Sequence, residues 1–133
     1  MLKDKLFILN SLKTLQSTGE SGDVSEYHAE VRLDSAHGIF LGHFPGNPIL
    51  PGVCQINMVR EVLEEITGTG LFLKESSQVK FLRMVKPLED QVLFLNIRIR
   101  KSPENELDVT AEITETSSAV MKLKGKYKTY GHA

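Results

Sequence analysis

Three prolines, Pro45, Pro48 and Pro51, fall within seven residues in the stretch Gly42-His43-Phe44-Pro45-Gly46-Asn47-Pro48-Ile49-Leu50-Pro51-Gly52-Val53. No helix or strand interior tolerates that density, because each ring fixes φ, removes a backbone donor and restricts the residue before it. Gly42, Gly46 and Gly52 add room for sharp bends or for close approach of another group. The chain must therefore be divided here by a stiff, bent connection. From Pro51 a helix is predicted. Proline suits a first helical turn, where its missing N–H had no partner anyway. Ile56, Val59, Leu63 and Ile66 then recur every three or four residues, and the stripe stops near Thr67-Gly68.

Either side of this point the patterning is different. Leu6, Phe7, Ile8, Leu9, Leu12 and Leu15 fit a helix or a mostly buried strand, and their spacing alone does not decide. Residues 17–23 are dense in turn formers, and Val24 to Leu33 alternates with Tyr27, Ala29, Val31 and Leu33 on one face. The preferred reading is a long hairpin joining 6–16 to 24–33, with a short N-terminal helix as the alternative. Residues 34–50 read as a loop. Beyond the helix, strands are predicted over 78–86 (stopping at Pro87) and 92–100. A third runs through Leu107, Val109, Ala111 and Ile113, and a last one through Met121, Leu123 and Tyr127. Short turns between consecutive strands favour antiparallel pairing. One helix on such a sheet is an α+β architecture, and residues 1–133 are expected to form a single domain, with no linker or repeat.

Composition excludes several partners. Sixteen basic residues nearly cancel seventeen acidic ones, which argues against a general nucleic-acid binder. The single cysteine, Cys54, excludes an internal disulfide and a four-cysteine zinc site. His28 and His37 have no accompanying ligand cluster, so no metal or cofactor is expected. No apolar run approaches a membrane span, and Leu6 to Leu9 is too short for a signal-peptide core. A cytoplasmic protein without a membrane partner is the expectation.

The proline-rich stretch also carries the chemistry. It delivers His43 beside a helix start, whose unpaired N–H groups bear partial positive charge. A general base and an oxyanion-stabilising site thus come together. A hydrogen-bonded structural histidine in a merely rigid connection fits the same residues. Cys54, in the first helical turn, can be drawn as a nucleophile beside His43 or as a small buried residue, and the second reading is preferred.

The run from Gly42 to Val53 resembles the active-site signature of the hotdog-fold 3-hydroxyacyl-acyl-carrier-protein dehydratases. Val79-Lys-Phe-Leu-Arg-Met-Val-Lys-Pro87 followed by Asp90 resembles that family's strand and its Pro-Gly-Asp turn, here lengthened to Pro-Leu-Glu-Asp. The similarity runs from about His37 to Arg100. It implies a hotdog fold, a curved antiparallel β-sheet wrapped around one long central helix. It also implies dehydration of 3-hydroxyacyl thioesters on acyl carrier protein to 2-enoyl thioesters, in fatty-acid or related specialised lipid or polyene biosynthesis. By that resemblance His43 takes the α-proton and the Gly52 N–H holds the thioester oxygen. Phe44, Pro45, Gly46, Leu50, Val53 and Phe81 line the substrate's path, and Arg83 meets the carrier at its mouth. Sites in this family form between two subunits, so a homodimer or a higher even oligomer is implied.

One position departs from the family. Its Glu or Asp, fourteen residues after the histidine, protonates the leaving hydroxyl, and here that place is held by Asn57. An amide hydrogen-bonds a hydroxyl but supplies no proton at neutral pH. Three resolutions stand. Glu61, one turn later on the same helix face, reaches the hydroxyl, although the run Glu61, Glu64, Glu65 reads more simply as a solvated helix end. Alternatively His43 performs both proton transfers while Asn57 orients the hydroxyl. Or the protein is an acyl thioesterase or a non-catalytic acyl-thioester-binding hotdog protein. The N-terminal part also lacks the Pro-His-Arg-Tyr-Pro-Phe-like stretch of ordinary fatty-acid dehydratases, which points to a side branch.

Overall fold

The computed structural model describes residues 2–18, 24–42, 48–89 and 91–130. Strand β1 (Phe7–Thr18) and strand β2 (Val24–Leu33) form the expected hairpin, in antiparallel register from Phe7 opposite Leu33 to Thr18 opposite Val24. Ala29, Val31 and Leu33 are buried while their neighbours are not, so the alternation sets which face of β2 meets the core. A short helix α1 (Ile39–Gly42) then interrupts what the sequence presents as continuous loop. Its first turn is seeded by His37, whose carbonyl accepts the Phe40 N–H and whose Nδ1 accepts the Ile39 N–H at 3.0 Å.

Helix α2 (Gly52–Thr67) begins directly after Pro51 and closes on Gly68, whose left-handed φ of 73° lets its N–H return to the Glu64 carbonyl. Cys54, Met58, Val59, Val62 and Leu63 are buried, whereas Ile56 and Ile66 of the anticipated stripe lie at its margin. Strands β3 (Leu71–Phe81), β4 (Val92–Ser102), β5 (Glu106–Glu115) and β6 (Ser118–Thr129) complete one six-stranded antiparallel sheet, in the order β1-β2-β4-β5-β6-β3. The core lies between α2 and the inner face of this sheet, where Leu93, Leu95, Ile97, Val109, Ala111, Ile113, Leu123 and Tyr127 point. Each such aliphatic side chain contributes about 1.5–3 kcal/mol when fully buried. Among the described residues no helix is long and apolar enough to cross a membrane.

Strand β3 corrects the expectation over 78–86. It starts seven residues earlier, at Leu71, and ends at Phe81. Register shifts at Leu73/Glu75 and Ser76/Gln78 break the two-residue period, and its middle is an exposed sheet edge, so apolar alternation does not mark it. Beyond Phe81 the chain leaves the ladder. The Leu82 and Arg83 N–H groups both approach the Val120 carbonyl, and the Val85 carbonyl accepts the Leu50 N–H at 2.8 Å.

Charged side chains of β5 and β6 face one another across the ladder. Lys122, Lys126 and Lys128 stand opposite Glu112, Asp108 and Glu106, with Lys122–Glu112 at 3.8 Å and Lys126–Asp108 at 3.9 Å.

Candidate active site at the head of helix α2

His43, Phe44, Pro45 and Gly46 lie outside the described residues. The site is therefore built from the elements that receive that loop. The Leu50 side chain is in the core, and the Leu50 N–H bond to Val85 ties the approach to α2 against the segment after β3. Pro51 sits at the helix N-cap with φ −61° and ψ 146°, and supplies no side-chain cap. Its carbonyl accepts the Cys54 and Gln55 N–H groups at 3.1 and 3.2 Å. Among the described residues, nothing accepts the Gly52 or Val53 N–H. Two amides thus stand open at the positive end of a sixteen-residue helix.

Gly52 is also a steric requirement. A Cβ there would lie 2.8 Å from Cζ of Phe81, so the aromatic ring rests directly on the glycine backbone. Phe81 is 51 % exposed and Val53 63 % exposed, and Leu82, Met84 and Leu88 add further bare apolar surface. The structure thus brings Leu50, Gly52 and Phe81 together, with Val53 beside them. Asn57, half-buried, comes one helical turn after Val53 on the same face. Arg83 stands on the segment after β3, about half exposed, with its guanidinium 3.5 Å from the Glu115 carboxylate.

Glu61 is not the solvated carboxylate that its acidic run suggests. It is 2 % exposed, and its two oxygens accept the Leu2 N–H (2.9 and 3.0 Å) and the Lys3 N–H (3.0 Å). Three charge-assisted bonds fasten the N-terminal segment to α2, and they occupy the carboxylate that would otherwise be free to meet a hydroxyl. Cys54 is buried, and burial pushes its thiol above the ordinary value, which disfavours the thiolate a nucleophile needs. His28 Nδ1–H donates to Asn96 Oδ1 at 2.7 Å and the ring stacks on Phe94, an arrangement within the sheet. Among the described residues no cluster of three metal-ligating side chains occurs.

Sequence reasoning passed over Gln55. It is 3 % exposed on the core side of α2, and its Nε2 donates to the Leu50 carbonyl at 3.4 Å. The signal was present: Met58 and Val59, three and four residues on and so on the same helix face as Gln55, are both apolar.

One long helix held against a single six-stranded antiparallel sheet is the arrangement of a hotdog protein. A family model for ApeI-like proteins, described as ApeI dehydratase, matches residues 19–124, and the chain belongs to that family. The 3-hydroxyacyl-[acyl-carrier-protein] dehydratase FabZ of Erythrobacter litoralis is 30 % identical over 115 residues, covering 84 % of this chain and 70 % of the relative. FabZ of Syntrophobacter fumaroxidans is 28 % identical over 92 residues, 63 % of each chain, so this chain spans under two thirds of that relative's length. Among solved structures, the dehydratase heterocomplex ApeI:P from Xenorhabdus doucetiae superposes with a TM-score of 0.61 at 22 % identity, over 91 % of this chain and 96 % of the other, a likeness of fold.

Proposed function

We propose that this protein is a hydro-lyase that converts 3-hydroxyacyl thioesters on acyl carrier protein to 2-enoyl thioesters, in fatty-acid or related specialised lipid or polyene biosynthesis. The observation that carries the reading is the open Gly52 amide under the Phe81 ring, in a chain whose family is that of the ApeI dehydratase. His43 removes the proton α to the thioester carbonyl, and the Gly52 N–H stabilises the charge that develops on the carbonyl oxygen. The same imidazolium then returns the proton to the departing 3-hydroxyl, which Asn57 holds by hydrogen bonding; water leaves and the Cα–Cβ double bond forms. Glu61 has no part in this scheme, because its carboxylate is spent on the Leu2 and Lys3 amides. Val53 and Phe81 flank the acyl chain together with Phe44, Pro45 and Gly46, while Leu50 backs them from the core, and Arg83 contacts the carrier. The protein acts as a single hotdog domain in a cytoplasmic homodimer or higher even oligomer, the histidine of one subunit facing the helix of the other.

The test is formation of 2-enoyl product from purified protein and 3-hydroxyacyl carrier protein. His43→Ala should abolish it, and Asn57→Glu should raise it by supplying the proton donor. A wild-type protein that yields no enoyl product on substrates of several lengths overturns the reading, and release of free thiol would mark a thioesterase.

Asn57 favours a second assembly. The solved ApeI:P protein of Xenorhabdus doucetiae is a heterocomplex. A different hotdog chain that carried the carboxylate on its own helix would complete a site with His43. In that case Asn57→Glu activates the isolated protein, whereas addition of the partner activates the wild type.

A further inference from the structure

Gln55 presents a contradiction that the proposed chemistry resolves. It is almost fully buried, and among the described residues its Oε1 meets no hydrogen-bond donor. An orphaned buried acceptor is destabilising, and an apolar residue of similar shape would avoid that cost. Its other end is engaged: Nε2 donates to the Leu50 carbonyl, back across Pro51. Pro51 offers no side-chain cap, so this amide is the side chain that ties the helix to the residue before its own N-cap. Leu50 is thereby held from two sides, its N–H on the Val85 carbonyl and its C=O under Gln55. Next in the chain are Pro51, with its fixed φ, and Gly52, whose amide stands open.

We infer that Gln55 is a positioning residue for the oxyanion donor: by gripping the Leu50 carbonyl it sets the direction in which the Gly52 N–H points, and the fold carries the unpartnered Oε1 as the cost of that grip. The inference rests on the dehydratase reading of the site. The side chain does not touch the reacting atoms; it acts through the Leu50–Pro51–Gly52 backbone. Misdirecting one pre-aimed donor weakens the interaction that matters only as charge develops, so the loss falls on turnover rather than on substrate binding.

A purely structural glutamine and a positioning one part company on replacement by an apolar residue. Gln55→Met removes the orphaned oxygen and the grip together. Its melting temperature is expected to equal or exceed the wild type's, while kcat falls about tenfold or more and KM stays within about twofold. A saturated acyl-pantetheine labelled with 13C at the thioester carbonyl gives a second readout. Its infrared carbonyl band should shift less on binding Gln55→Met than on binding wild type. Gln55→Glu supplies a third, since a protonated carboxyl donates to Leu50 and a carboxylate does not. The ratio of its kcat to that of the wild type should rise as pH is lowered from 8 to 5. Unchanged kcat in Gln55→Met, a melting temperature that falls in step with activity, or failure of both variants to fold would each assign Gln55 to structure and overturn the inference. If the wild type itself does not dehydrate, the reading of function has failed, and the infrared comparison alone judges the role of Gln55.

Discussion

The two halves of helix α2 are built to opposite standards. From Arg60 onward polar groups are matched. Glu61 takes three amide bonds, Glu64 accepts from Arg60 at 3.0 Å and from the Leu71 N–H at 2.8 Å, and Thr67 returns its hydroxyl to the Leu63 carbonyl. Gly68 then closes the last turn. At the head, among the described residues, the helix has no side-chain cap, two amides are open and a buried acceptor is orphaned, and Val53 and Phe81 show more than half their surface. Stability is concentrated in the far half, and the head retains unspent hydrogen-bonding capacity and bare apolar surface. Local rules that hold through most of a fold and lapse in one place mark the place where function competes with stability.

That contrast is broken most severely at Gly52. Gly52→Ala pushes a methyl into the Phe81 ring, displacing either the ring or the open amide, and a loss of about a hundredfold in kcat is expected, with little change in the unfolding midpoint. The double variant Gly52→Ala/Phe81→Ala should recover part of that loss; steady-state kinetics on the three proteins checks both statements. At the other end, Glu61→Ala strands the Leu2 and Lys3 amides. It should cost about 2–3 kcal/mol in urea unfolding while leaving kcat of the folded protein near wild type, the reverse signature. A large fall in kcat for a stably folded Glu61→Ala would return that carboxylate to the reaction.

The smallest effect sharpens the comparison, because an unmatched buried group also lies away from α2, on β6. Tyr127 is fully buried, its hydroxyl has no partner, and burial pushes its pKa up to about 12, against a slight opposing pull from Arg60. In the unfolded chain the phenol ionises near 10. Below pH 10 both states are protonated and stability is intact; between about 10 and 12 only the unfolded chain loses its proton, so stability falls as pH rises, by about 2 kcal/mol across that window. Tyr127→Phe should flatten this alkaline limb and leave stability at pH 7 equal or slightly higher, as read from urea unfolding at pH 7 and at intervals from 9 to 12.

Much of the fold is legible in the sequence, and the misses share one cause. The β1–β2 hairpin comes from alternation plus a run of turn formers, and α2 from its stripe between Pro51 and Gly68; both are local signals. Strand β3 is half hidden because its bulges disrupt the period and its exposed middle carries Lys74, Glu75 and Ser76 in place of apolar residues. Residues 82–86 imitate a strand, yet Val85 is drawn off to Leu50, thirty-five positions away in sequence. Glu61 imitates a surface acid because its partners are 58 and 59 residues distant. At the site, Gly52 and its neighbours can be singled out from a local motif and its family resemblance. The Phe81 ring on Gly52 and the grip of Gln55 on Leu50 need coordinates, since contact and satisfaction are properties of packing.

The sheet order β1-β2-β4-β5-β6-β3 has a consequence for how the polypeptide is made. Strand β3 is translated third but pairs with β6, and Leu71 finds its place opposite Thr129. During synthesis the middle of the chain must therefore wait, with α2 and the inner side of β3 uncovered, until β6 has left the ribosome. The helix packs against β3, and β3 gains its ladder only from β6, so a nascent chain that stops short of β6 leaves that greasy helix available to chaperones or to another unfinished copy.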